Sequence, residues 1–269
     1  MTAISQAIAP TGESEVALDT SLFDLRGKTA LITGAARGLG RAAAAALGRY
    51  GADLVLFDML GDELEGTATE LGATGVSVEA VTGDITRADD VDRLVGVLPD
   101  GVDVIVNSVG VQRRIQICEL TVDDLDWMWQ VNVRGVFSLT QALLPGMISR
   151  GRGKIINVAS IGSLVGAERK TAYAMTKGAI AQYTRSLAVE VGRYGICVNA
   201  VAPGYVDTDM THDWLFADPD RSRDFLNRIP LGRFATPADI EGAFVLLATR
   251  ASDYITGQLL VIDGGWTSW

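Results

Sequence analysis

The sequence predicts an α/β fold, a Rossmann-like doubly wound sheet of about seven parallel strands with helices on both faces. Three observations predict it. Short, almost continuously apolar runs rich in Val, Ile and Leu recur along the chain, as strands do when both faces of a sheet are covered. Segments of helical pattern alternate with these runs, as right-handed βαβ units require. A glycine-rich turn, Thr33-Gly34-Ala35-Ala36-Arg37-Gly38-Leu39-Gly40, separates the first run from the first helical segment.

Taken in order, Thr29–Thr33 is the first strand and opens directly into that turn. Helical residues 41–50 are alanine-rich and lead to the second strand, Asp53–Asp58, which ends on an acid. The third strand is expected over 77–82, just before Asp84-Ile85, and the fourth over 103–107, ending on Asn107. A single long helix is expected over 122–149, then a fifth strand over 154–159 that stops at Ser160. A second long helix covers 172–193, a sixth strand 196–202 runs into Pro203-Gly204, and a seventh lies over 259–263. Residues 1–24 are polar without periodicity and read as a flexible extension. With no linker or repeat in view, 25–269 reads as one dinucleotide-binding catalytic domain.

Composition narrows the function classes. At 269 residues and 48 % hydrophobic, the chain can bury a large core and is neither disordered nor membrane-like. No apolar run approaches the ~20 residues that span a bilayer, and the first residues lack a signal-peptide pattern. A net charge of −10, from 23 basic and 33 acidic residues, argues against a nucleic-acid partner. Cys118 and Cys197 lie far apart without metal-ligand spacing, so both are expected as small buried residues and no metal is expected. The reading is a reduced, cytoplasmic protein.

The glycine turn fits a dinucleotide pyrophosphate. Gly34, Gly38 and Gly40 permit a tight turn and close backbone approach, while Arg37 and Leu39 lie between them at the start of a helix whose N–H groups favour phosphate. Asp58, at the end of the second strand, can accept hydrogen bonds from both adenosine ribose hydroxyls and would repel a 2′-phosphate. NAD is therefore the expected cofactor, with NADP the lesser alternative because Arg37 could reach a 2′-phosphate. Further strand ends carry Asp84 for an adenine amino group, Ile85 for the ring, and Asn107 with Gly110. The Asn107 side chain reads primarily as a tie between adjacent strands.

Tyr173 and Lys177 stand four apart on a predicted helix, with Ser160 thirteen residues before the tyrosine. Residues at i and i+4 share a face, so the ammonium is expected beside the phenol, lowering its pKa from about 10. Alone, that spacing is weak evidence, since tyrosines and lysines are common on helices.

Together with Asp84, Asn107-Ser108-Val109-Gly110, Asn132, and Pro203-Gly204 followed by Thr208, these motifs resemble the short-chain dehydrogenase/reductase family over essentially all of 25–269. Ser108 and Val109 depart from the family's usual Asn-Asn-Ala-Gly. The resemblance implies a catalytic tetrad of Asn132, Ser160, Tyr173 and Lys177. Tyr173 is then the acid/base, Ser160 orients the reacting oxygen, Lys177 binds the nicotinamide ribose, and Asn132 holds a relay water. It also implies that Pro203, Gly204, Val206 and Thr208 lie along the nicotinamide, and that the chain forms a homotetramer.

Within that family, Val111-Gln112-Arg113-Arg114, the Pro203-Gly204-Tyr205 segment, Ile229–Phe234 and the tail resemble the branch of gluconate 5-dehydrogenases and 2-deoxy-gluconate or 2-keto-3-deoxy-gluconate dehydrogenases. The implied reaction is NAD-dependent hydride transfer at a secondary alcohol or ketone of a sugar acid. Gln112, Arg113, Arg114 and Ser160 are the expected substrate contacts, an arginine pairing with the carboxylate through two parallel hydrogen bonds. The alternatives are a neutral sugar or polyol, a 3-oxoacyl thioester reductase, and a catalytically silent dinucleotide sensor. His212 reads as an exposed lid residue.

Overall fold

The computed structural model describes residues 21–99 and 101–268. Residues 1–20 of the expected N-terminal extension lie outside them, and Ser21–Phe23 form a short 3-10 turn.

Seven parallel strands form one sheet. They are β1 (Thr29–Thr33), β2 (Asp53–Asp58), β3 (Val78–Thr82), β4 (Val104–Asn107), β5 (Gly153–Val158), β6 (Ile196–Pro203) and β7 (Leu259–Ile262), in the order β3-β2-β1-β4-β5-β6-β7. Each expected strand is present to within a residue at either end, the usual scatter of element boundaries. Order reverses between β1 and β4, and in such a sheet ligands bind beyond the strand ends at that switch point.

The helices are α1 (Gly38–Arg49), α2 (Gly61–Gly72), α3 (Ala88–Gly96), α4 (Val122–Trp129), α5 (Val136–Arg150), α6 (Thr171–Val191), α7 (His212–Phe216), α8 (Pro219–Arg228) and α9 (Ala238–Ala248). Strand side chains alternate between faces, so each strand feeds two cores. Ala30, Ile32, Leu54, Leu56, Val104 and Val106 pack under α1, α2 and α9, where Leu47, Leu64 and Phe244 are fully buried. Leu31, Val55, Phe57 and Ile105 face the other way, against Leu94 of α3, Leu139 and Met147 of α5, and Leu187 of α6. This two-sided burial is why the strands read as unbroken apolar runs.

Two expectations need correction. The helix expected over 122–149 is interrupted by a π-helical turn, Gln130–Gly135, between α4 and α5. Gly135 packs against Ile85 there, and a Cβ at that position would lie 2.8 Å from the isoleucine Cγ2. Cys118 is exposed on the loop before α4, whereas Cys197 is half-buried; both are free thiols. Among the described residues, no helix is long and apolar enough to cross a membrane.

Candidate active site

The carboxyl ends of the strands open into a cleft of about 490 Å³ that runs from the glycine turn to Tyr173. At the first end, β1 delivers the chain into the turn and α1 leaves it. Gly40 is forced by packing, since a Cβ there would stand 2.0 Å from the Gly34 carbonyl oxygen. Gly34 has φ +68°, and its Cβ would meet the Val109 backbone at 2.9 Å. No side chain caps the α1 N-terminus, so its first N–H groups are free to meet an anion.

Asp58 is fixed at the end of β2. Its Oδ2 accepts a hydrogen bond from the Ala36 N–H at 3.1 Å and its Oδ1 one from the Leu60 N–H at 3.1 Å. Those bonds tie the strand end to the glycine turn, and each carboxylate oxygen keeps further lone pairs toward the cleft. Arg37, also on the cleft, is half-exposed and lies 4.0 Å from Glu63. Asp84 and Ile85 form the next part of the wall, with Asp84 Oδ1 accepting from both the N–H and the hydroxyl of Thr86.

The other end gathers the residues expected to transfer the proton. Tyr173 and Lys177 stand on the first two turns of α6, with the Lys177 Nζ 5.7 Å from the tyrosine ring centroid. Lys177 is 4 % exposed, and its ammonium donates to the Val158 carbonyl at the end of β5 at 2.7 Å. Burial lowers its pKa from 10.5 to about 8. Asn132 sits in the π-helical turn at 1 % exposure, behind the cleft wall. Its amide spans to the next loop, accepting from the Val111 N–H at 2.8 Å while donating to the Val111 carbonyl at 2.9 Å and to Thr176 Oγ1 at 3.0 Å. A Cβ on Gly110 would be 3.4 Å from Lys177 Nζ and 3.5 Å from Asn132 Oδ1, so both polar groups border the space beside this glycine.

The phenol departs from the sequence-based expectation. Burial raises the Tyr173 pKa, and the opposing pulls come from a hydrogen bond with Ser160 and from the Arg114 charge. The Lys177 ammonium is committed to a carbonyl, and desolvation outweighs the favourable charges. Ser160 is held in extended backbone, its Oγ accepting from the Gly162 N–H at 3.1 Å.

Most sequence-predicted residues meet in this cleft. Gly34, Arg37, Gly38, Leu39, Gly40, Asp58, Asp84, Ile85, Gly110, Gln112, Arg114, Ser160, Tyr173, Lys177, Pro203, Gly204, Val206 and Thr208 all line it. Asn107 does not. Its Nδ2 donates to Asn157 Oδ1 at 2.9 Å and lies 3.3 Å from Thr140 Oγ1, tying β4 to β5 as its structural reading held.

The arginine pair also divides. Arg113 turns away, ion-paired with Asp124 and stacked over Trp127 at 4.4 Å, so it is not a cleft residue. Arg114 points in, its guanidinium 3.7 Å from the Trp214 ring centroid. Burial lowers the Arg114 pKa to about 10, and its Nη1 is buried without a hydrogen-bond partner. Gln112 Nε2 is likewise buried and unpaired. Two idle donors at one end of a cleft are a costly arrangement unless a ligand acceptor meets them.

Sequence reasoning singled out neither Lys170 nor Trp214 at this end. Lys170 precedes α6 and faces Tyr205 and Trp214 at 4.8 and 5.3 Å. Tyr205 stacks on Phe225 and edges onto Trp266, both at 4.8 Å, which docks α7 and α8 over the site as a cover. Tyr205 belongs to a segment named above, but Lys170 and Trp214 stand 35 residues before it and 9 after it, and only the folded chain brings the three together. His212 lies on the outside of that cover, its Nδ1 2.8 Å from Asp207 Oδ1, and the Asp207 carboxylate raises its pKa.

The chain is similar to known proteins along nearly its whole length. The family model described as Enoyl-(Acyl carrier protein) reductase matches residues 34–267. A gluconate 5-dehydrogenase of Gluconobacter oxydans is 38 % identical over 249 residues, covering 91 % of this chain and 97 % of its own. A 2-dehydro-3-deoxy-D-gluconate 5-dehydrogenase of Escherichia coli is 38 % identical over 250 residues, covering 91 % and 98 %. The crystal structure of a gluconate 5-dehydrogenase from Burkholderia cenocepacia, in complex with NADP and tartrate, superposes with a TM-score of 0.88 at 34 % identity, over 93 % of this chain and 98 % of that one. With the whole strand-end cleft contained in the matched region, the chain belongs to the short-chain dehydrogenase/reductase family and is an oxidoreductase.

Proposed function

We propose that the protein oxidises a secondary alcohol of a sugar acid, or reduces the corresponding ketone, with NAD as the preferred cofactor. The observation that carries the substrate class is Arg114. A half-buried, stacked guanidinium with a buried, idle Nη1, on the same cleft as the idle Gln112 Nε2, Ser160 and Tyr173, fits a receptor for a carboxylate. The relatives named for gluconate and its deoxy-keto derivative support the same class. Against a thioester reductase stands the cationic character of this end, unsuited to an acyl chain.

The residues fit a dinucleotide along the glycine turn, Asp58, Asp84 and the loop around Pro203, because Gly34 and Gly40 leave no room for a side chain and the α1 N-terminus is uncapped. When bound, that cofactor would accept the hydride in the oxidation and supply it in the reduction. This chain's own groups then hold the reacting oxygen between the Ser160 hydroxyl and the Tyr173 phenol, and Tyr173 takes or gives the proton at that oxygen. Lys177 and Asn132, linked through the space beside Gly110, form the proton path behind the tyrosine.

Asp58 supports NAD, since its fixed carboxylate would repel a 2′-phosphate. NADP is the second reading, favoured by Arg37 on the cleft and by the NADP bound to the Burkholderia cenocepacia relative. One experiment tests both choices: absorbance at 340 nm with NAD and with NADP against aldonates, aldoses, polyols and simple secondary alcohols. Turnover of an aldonate with a higher kcat/KM for NAD, narrowed by Asp58→Ala, is the expected result. Turnover confined to neutral polyols would overturn the sugar-acid reading, and an NADP preference the cofactor reading.

Residues 25–269 act in this reading as one catalytic domain, assembled into a homotetramer in a cytoplasmic setting that suits two free thiols. The exposed apolar side chains Phe137 of α5 and Met175 and Val189 of α6 support self-association. Sedimentation velocity is expected to give four times the 28.5 kDa chain mass.

A further inference from the structure

Next to the Arg114 receptor stands a second cation that the tetrad chemistry does not use. Lys170 is half-buried on the cleft, and among the described residues its ammonium makes neither an ion pair nor a hydrogen bond. Its only neighbours of note are aromatic faces, Tyr205 at 4.8 Å and Trp214 at 5.3 Å. Trp214 is also the platform for Arg114, at 3.7 Å, so one indole carries both cations.

The backbone holds Lys170 in place. Arg169, immediately before it, has φ 61°, the sole left-handed conformation of a non-glycine residue among the described residues. An arginine there costs about 1 kcal/mol or more. In that conformation the Arg169 carbonyl accepts a hydrogen bond from the Ile115 N–H at 3.1 Å, which stitches the loop carrying Lys170 to the loop carrying Gln112 and Arg114. The two cations are therefore placed together by a strained link between two separate loops.

The surroundings hold few counter-charges. Arg221 also lies against Trp214, 4.7 Å from its ring, with Asp218 as its carboxylate at 3.9 Å. Tyr173 on α6 and Tyr205 after β6 contribute only phenols, Asp209 borders the cleft farther along the cover, and Glu168 and Arg169 are exposed on the same loop as Lys170. Two unneutralised cations side by side in a chain of net charge −10 point to an anion as the missing partner.

We propose that Lys170 is a specificity-determining residue, a second anion-binding group that closes with Arg114 on the substrate carboxylate and selects the acid over its neutral counterpart. The inference rests on the sugar-acid reading above. Burial, and then the charge of Arg114, lower the Lys170 pKa from 10.5 to about 8. Acid binding consequently favours the protonated lysine, and affinity falls as pH rises through that value.

The test is calorimetric titration of D-gluconate, and of neutral D-glucitol, into enzyme saturated with whichever reduced cofactor it prefers, at pH 7 and pH 9.5. Wild type is expected to bind D-gluconate roughly 10-fold or more weakly at pH 9.5, with proton uptake on binding near pH 8. Lys170→Met is expected to lose roughly 10- to 100-fold in the gluconate-to-glucitol affinity ratio at pH 7 and to flatten the pH dependence. Lys170→Arg restores the ratio but not the pH dependence, because arginine stays charged. Arg114→Ala weakens gluconate binding while moving the pH step upward, since it removes the charge that depresses the lysine. Any contribution of Lys177 is common to all of these variants and cancels in the comparison. A Lys170→Met enzyme with the wild-type ratio and pH dependence would overturn the proposal while leaving the sugar-acid reading intact. A wild type that binds no aldonate overturns both.

Discussion

Tyr173 sits where two opposing demands meet. In the proposed reaction its phenol must lose and regain a proton near neutral pH, yet burial pushes its pKa up, and only the Ser160 hydroxyl and the Arg114 charge pull it back. The hydroxyl is therefore the sole group on Tyr173 that the reaction needs, while the ring is wall. Tyr173→Phe is expected to reduce kcat by about 10²- to 10⁴-fold, the usual worth of a positioned acid/base. Cofactor affinity, measured by quenching of intrinsic fluorescence, should change little, because the phenyl ring keeps its packing. Residual turnover within tenfold of wild type would remove Tyr173 from the proton path.

At the scale of elements, the glycine turn and the first turn of α1 act as one unit. Gly40→Ala places a methyl group 2.0 Å from the Gly34 carbonyl oxygen, a backbone atom that cannot rotate away. The turn must move, and Gly34 in turn abuts the Val109 backbone, so the displacement passes to the β4 loop. The variant is expected to lose about 1–3 kcal/mol of stability and to raise the KM for cofactor at least tenfold, checked by thermal melts and initial rates. This unit was legible in the sequence because glycine spacing encodes local sterics. The strands were legible for a similar reason: burial on both faces leaves a local apolar run. The π-helical turn was not, since Gln130-Val131-Asn132-Val133-Arg134-Gly135 carries no breaker before Gly135, and the signal for the bulge is a contact with distant Ile85. Nor could the sequence separate Arg113 from Arg114. Adjacent residues on a loop face different ways, and which one enters the cleft depends on Asp124, on the next helix, and on Trp214, far along the chain. The meeting of Lys170, Tyr205 and Trp214 is likewise purely tertiary.

For the whole molecule, the cleft is a reservoir of instability that the two cores must offset. Lys177 is 4 % exposed and carries a charge whose desolvation lowers its pKa from 10.5 to about 8. Below pH 8 both the folded and unfolded chains hold this proton, and the folded state bears the full desolvation penalty. Between about pH 8 and 10.5 the unfolded chain keeps a proton that the folded chain has released, so this group's contribution to stability improves as pH rises through that window. Replacing the charge removes the penalty, although the Val158 carbonyl then loses its donor at a cost of about 1 kcal/mol. Lys177→Met is therefore expected to be inactive yet more stable than wild type at pH 7, by roughly 1–3 kcal/mol, or a few degrees in Tm for a chain of this size. Melts at one fixed protein concentration keep any self-association constant across the comparison. The advantage should shrink by pH 10, where the wild-type lysine is already neutral in the folded state. An equal gap in Tm at both pH values would mean that the charge of Lys177 is not what the fold works against, and that its depressed pKa has no energetic counterpart in the intact protein.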